Sequence, residues 1–230
     1  TATWSFIFDG SDVGLGSLAI DGLAVLPSGD LLLSFTAAAS VPGLIGGPNG
    51  LTVDGADIGQ FTPTSLGANT AGTLTFYFDG SDVGLDTTSE NVDAIAVAPD
   101  GSLIISTVAN FSAVGASGLD EDLFIFTATS LGAVTSGSFA MYFDGSDVGL
   151  DTTADEDVDA VALRPYDGGL LLSTVGPFSV TGVSGADEDA FAFTPTQLGD
   201  STAGTYQMVL VLAALGIDPI ATLTALEEVP

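Results

Sequence analysis

Apolar positions along this chain fall into short runs broken by clusters of Gly, Ser, Asp and Pro. Residues 31–35 read LLLSF, residues 103–107 read LIIST and residues 170–174 read LLLST, each too short for a stable helix and of strand length. Stretches such as Ile95-Ala96-Val97 and Leu103-Ile104-Ile105 are apolar at successive positions, the pattern of strands covered on both faces. Asp-Gly and Ser-Gly pairs separate the runs, where glycine accepts the positive φ of a tight turn. No window offers a capped helical period of about ten residues. The pattern predicts an all-β protein.

The runs recur in a fixed order. FDGSDVGL begins at Phe8, Phe78 and Phe143, at spacings of 70 and 65 residues. Each copy is followed by Ile/Val-Asp-Gly/Ala (Ile20-Asp21-Gly22, Val92-Asp93-Ala94, Val158-Asp159-Ala160), by a Pro/Gly/Asp turn, and by the LIIST-type run. A Gly/Ser-rich loop and an acidic step then lead into FTPTSLG, FTATSLG or FTPTQLG. Four strands per unit, three units in tandem, predict antiparallel blades of the β-propeller kind; an open β-array or a string of small β-sandwiches is the alternative. The V-D-A strand is expected innermost, then LIIST, then F-T-A-T-S, with Y-F-D-G outermost. The units are read as 1–75, 76–140 and 141–206, with 207–230 as a C-terminal strand and apolar tail.

Closed propellers use about four to eight blades, and this chain supplies three. An orphan outer strand is expected at Thr3–Phe8 and another outer strand at Tyr206–Leu210. Open edges of this kind invite pairing, so completion by self-association, as a closed oligomer or a filament, is the expectation.

Charge sharpens the picture. Thirty Asp and Glu face one Arg, with no Lys and no His, for a net charge of −29. Phosphate and anionic lipid need cations, so nucleic acid and acidic membrane surfaces are excluded as partners. The most apolar run, Met208–Leu215, is eight residues, against about 20 for a membrane helix. Without Cys there are no disulfides, thiolate metal sites or thiol nucleophiles. The start at Thr1 fits removal of a signal peptide or excision from a longer chain. Most of the acids fall in loops expected on one face. Two carboxylates about 5 Å apart repel by about 3 kcal/mol at an effective dielectric near 20, and oxygen-only ligands suit Ca²⁺. The candidate ligands are the acids that recur at equivalent places: Asp79, Asp82, Asp93 and Asp122, with Asp144, Asp147, Asp159 and Asp189. The competing reading is that Asp-Gly and Ser-Asp are turn formers that need no metal.

Catalysis is not expected. Triads and Schiff-base chemistry lack their His, Cys and Lys, and the carboxylate pairs that remain occur once per unit, as a structural role requires. Trp4, Tyr77 and Tyr142 repeat on outer strands and read as packing, Tyr166 is a weak ligand contact, Arg164 is expected to pair with an acid, and Asn110-Phe111-Ser112 matches a glycosylation acceptor. FDGSDVGL, V-D-A, P-D-G-S-L-x-x-S-T and A-D-E-D-x-F-x-F-T-P-T-x-L-G together resemble the propeller-like tandem repeats of bacterial secreted and surface proteins, over residues 4–206. The resemblance implies export and an adhesive or matrix role. The expected function is therefore an extracellular, Ca²⁺-stabilised, self-associating structural protein, with a Ca²⁺-dependent, lectin-like glycan-binding module as the alternative.

Overall fold

A computed structural model describes residues 5–216 and 223–226. The first unit holds β1 (Ile20–Val25), β2 (Leu31–Phe35), β3 (Ala39–Ser40), β4 (Thr52–Val53), β5 (Ile58–Ser65) and β6 (Ala71–Phe78). The second holds β7 (Val92–Val97), β8 (Leu103–Thr107), β9 (Phe111–Ala113), β10 (Ala116–Gly118), β11 (Leu123–Ser130) and β12 (Ser136–Phe143). The third holds β13 (Ala160–Arg164), β14 (Gly169–Ser173), β15 (Phe178–Val180), β16 (Val183–Gly185), β17 (Ala190–Gln197) and β18 (Ala203–Leu210). Short 3₁₀ turns join them, and no α-helix occurs among the described residues.

Each unit is a four-stranded antiparallel sheet with a small two-stranded sheet beside it. The main sheets run β1-β2-β5-β6, β7-β8-β11-β12 and β13-β14-β17-β18. The inner-to-outer order of each blade-like sheet is the one expected from the motifs. The sheets form no closed barrel. β7 packs against both β1 and β13, so the V-D-A strands of successive units lie side by side.

The termini differ from each other. Tyr206–Leu210 forms the expected outer strand, as part of β18, the fourth strand of the third sheet. At the other end residues 5–7 are not in a strand, and Phe8 makes only an isolated parallel bridge to Gly67. Among the described residues none lies against residues 5–7 as β5 lies against β6 and β11 against β12. Thr3 and Trp4 lie outside the described residues.

Two of the three core clusters lie between the main sheets of neighbouring units, and the third, with Leu31, Leu33, Phe35, Val53, Phe61 and Phe76, lies within the first unit. One cluster joins Ala24, Leu32, Ile58 and Phe78 of the first unit to Ile95, Ile105, Phe124 and Phe126 of the second. A second joins Ala94, Ala96, Ile104 and Phe143 to Val161, Leu170, Leu172, Phe191 and Phe193 of the third. Strands that bury both faces explain the unbroken apolar runs, and each unit depends on its neighbour for burial.

Candidate functional site at the unit junctions

The FDGSDVGL segment is a latch. It leaves the outer strand of one unit and fastens to the turn before the outer strand of the next. Phe78 meets Phe126 edge to face, with centroids 5.2 Å apart, and Phe8–Phe61 and Phe143–Phe193 repeat the contact at 5.1 Å. The amide of Gly132 donates to the Tyr77 carbonyl at 2.7 Å. The Asp79 amide donates to Thr135 Oγ1 at 2.9 Å, and the Thr135 amide donates to Asp82 Oδ2 at 2.8 Å. Thr135 Oγ1 in turn donates to the Gly132 carbonyl at 2.9 Å. The same set joins Asp9 and Asp12 to Thr70, and Asp144 and Asp147 to Thr202.

Every letter of the motif has a local reason. Ser81 Oγ donates to Asp79 Oδ1 at 2.7 Å and closes the turn. A Cβ on Gly80 would lie 2.5 Å from the Ala56 carbonyl oxygen, so only glycine fits there. Gly84 ends the 3₁₀ turn at φ 98°, a left-handed conformation that costs other residues about 1–2 kcal/mol. Leu85 is buried in the core between the first two units.

Two further carboxylate sets hold the junction. Asp122 Oδ2 accepts from the Leu119 amide at 2.8 Å and Asp122 Oδ1 accepts from the Gly145 amide at 2.9 Å, tying the latch to its own sheet. Asp189 repeats this with Ala186 and Leu212, and Asp57 with Asp54 and Gly80. Glu90 Oε2 accepts from the Asp86 and Thr87 amides, and Glu156 Oε2 from those of Thr152 and Thr153, as capping glutamates do.

The inner strands carry a different arrangement. Ser106 Oγ lies 2.5 Å from Asp93 Oδ1 and 2.5 Å from the carbonyl oxygen of Val158 in the next unit. A hydroxyl has one hydrogen. Ser106 Oγ is placed to donate to both oxygens with one hydrogen, and a proton on Asp93, donated to Ser106, would leave that hydrogen for Val158. Ser173 repeats the geometry, 2.7 Å from Asp159 Oδ1 and 2.9 Å from the Leu223 carbonyl oxygen. Burial pushes Asp93 well above the usual carboxylate range, with Asp157, Asp21 and Asp159 adding repulsion. Burial also lifts Asp159 to about 7, Asp21 to about 6, and Asp157 and Glu121 to about 8. Asp93 Oδ2, Asp157 Oδ1, Asp159 Oδ2 and Glu121 Oε1 are buried without a partner, which fits neutral carboxyls better than charged ones.

The eight acids singled out from the sequence thus fall into three places. Asp79, Asp82, Asp144 and Asp147 are in latches, Asp122 and Asp189 in the clamps that anchor them, and Asp93 and Asp159 on the inner strands. The first six accept hydrogen bonds from protein N–H or O–H groups. No group of three or more His, Cys, Asp or Glu placed to hold a metal occurs among the described residues. Arg164 pairs with Asp167 at 3.0 Å, and its Nε donates to the Tyr166 hydroxyl at 2.8 Å.

The partners of these acids escaped the sequence reading, although two signals were present. A Thr stands three residues after the Gly of every S/Q-L-G, at Thr70, Thr135 and Thr202, and a Ser interrupts each LIIST-type run, at Ser34, Ser106 and Ser173. A polar residue inside a doubly buried strand implies a buried partner.

Comparison of the chain with protein-family models, with curated proteins and with solved structures returns no match.

Proposed function

We propose that this chain is a structural repeat module whose units are joined in series by acid–threonine latches and which associates with further copies of itself. The observation that carries the reading is the threefold latch. The second and third copies of the motif join the first unit to the second and the second to the third, and the first copy fastens the N-terminal segment to the first unit in the same way, with both aspartates engaged each time.

Self-association is supported by the N-terminal segment. Phe6 and Ile7 are each 60% exposed, while Phe76, at the position equivalent to Phe6 on β6, is 7% exposed. Exposed apolar side chains of this kind on a segment beside the first sheet suit pairing with a second copy. The latch itself is not the joint between copies, because the turns at Gly67, Gly132 and Gly199 are all filled from within the chain. Calcium belongs to the proposal as a cation that relieves repulsion across an acidic surface. The location proposed with it, outside the cell, rests on the resemblance of the repeat motifs.

Light scattering on the purified chain, in millimolar Ca²⁺ and again after chelation, tests the reading. A mass at a multiple of 22.9 kDa that falls on chelation is expected, and the variant Phe6→Ser/Ile7→Ser should lower it in Ca²⁺ as well. A monomer in both conditions would remove self-association and leave only the internally latched stack.

A further inference from the structure

We infer that residues 211–216 and 223–226 belong to the opening of a fourth unit, stripped of its acids, which caps the far face of the third sheet. The backbone supplies the alignment. Leu210 stands opposite Ala190 in the register where Phe78 stands opposite Ile58 and Phe143 opposite Leu123. The next residues form a 3₁₀ turn, Leu212–Leu215, ended by Gly216 at φ 85°, as the other latches end at Gly14, Gly84 and Gly149. Val211, before that turn, has φ −112° and ψ 97°, close to the −103° and 97° of Asp9 before the first. The Leu212 amide donates to Asp189 Oδ1 at 3.2 Å, as the Gly80 and Gly145 amides donate to Asp57 and Asp122.

The chain then reaches the place of a fourth inner strand. The Leu223 amide donates to the Asp187 carbonyl at 3.4 Å, matching Val92 onto Gly55 and Val158 onto Asp120. The Leu223 carbonyl accepts from Ser173 Oγ at 2.9 Å, matching Val158 and Ser106. Leu223-Thr224-Ala225-Leu226 therefore stands where Val92-Asp93-Ala94-Ile95 and Val158-Asp159-Ala160-Val161 begin their units. A separate observation agrees. Ala160, Ala162, Ala190 and Ala192, on the face turned away from the second unit, are only 0–1% exposed although no fourth sheet follows among the described residues.

The substitutions within this copy give it its role. Val211 and Ala214 replace the two latch aspartates, so no carboxylate remains to accept from the threonine amide of a further turn. Thr224 replaces the inner aspartate, which would otherwise add another uncompensated acid beside Asp159. What is kept is the apolar contact and the backbone pairing that close a stack.

Residue-resolved amide exchange on the full chain tests this directly. The Leu223 amide should exchange more slowly than a free-chain amide by more than about tenfold, as an amide in a structured junction does, alongside Val92 and Val158. Removing residues 211–230 should lower Tm and raise binding of a hydrophobic dye, and Leu223→Pro, which removes the donor together with the leucine side chain, should lower Tm by less. Free-chain exchange at Leu223 would overturn the assignment even if the shortened chain failed to fold. So would a shortened chain with unchanged Tm and dye binding.

Discussion

Burial raises the proton affinity of Asp93 and Asp159, and each shares its serine hydroxyl with a backbone carbonyl. Replacing the acid by its neutral isostere separates the proton from the charge. Asp93→Asn keeps a donor toward Ser106 and removes the cost of ionisation, so it should raise Tm at pH 8 and leave it nearly unchanged at pH 5. Asp93→Ala should lower Tm at both, because Ser106 then loses its donor and a cavity opens. Thermal scans at the two pH values settle the matter: an Asn variant less stable at pH 8 than the native chain would show that Asp93 is bound as a carboxylate.

At the scale of the element, the latch turns a loop into a joint. Thr135→Val keeps the shape of the side chain but removes the acceptor for Asp79 N–H and the donor to Gly132, a loss of about 1–3 kcal/mol for buried groups left unpaired. Urea unfolding should show that loss as a lower midpoint with little change in slope. Strand order was legible in the sequence because the runs differ in kind: V-D-A buries both faces, whereas FTATS and its relatives bury one end only. The latch was only half legible. FDGSDVGL announced itself, but Thr135 lies 56 residues from Asp79, and nothing local links them. The aspartates read as metal ligands because like charges at repeated positions call for neutralisation, and their amide and hydroxyl partners in the fold, some more than 50 residues away, left no local signal. The fourth copy was not legible at all, since its defining Phe, Asp and Ser are gone and what survives is backbone: a glycine at φ 85° and a pairing register.

Across the whole molecule the acids set a pH window. Asp21, Asp57, Asp157, Asp159 and Glu121 bind protons more tightly folded than unfolded, with folded values of about 6 to 8. Their contribution is complete below the ordinary carboxylate range near 4 and is lost as pH rises through those folded values. Glu156 works in the opposite sense. Against the upward pull of burial, hydrogen bonds from Thr152, Ser179 and Thr153 hold it below the usual range, so its contribution is lost as pH falls through that lowered value. Stability should therefore peak in mildly acid solution, with Tm falling on the order of 10 °C between pH 5 and pH 8. Scanning calorimetry across that range checks it, and a Tm that climbs steadily toward pH 8 would contradict the neutral inner acids.

The latch has a mechanical meaning as well. Each one fastens residues 56 to 61 positions apart and encloses the three inner strands of a sheet in the loop between them, leaving the outer strand beyond it. A pull on the two ends of the chain therefore bears on these fastenings before it reaches the strands they enclose. Opening one pays out its stored length, about 3.5 Å for each residue released, or about 200 Å for a unit. A string of such units extends in discrete lengths, yielding one member at a time while the rest stay folded and hold the line.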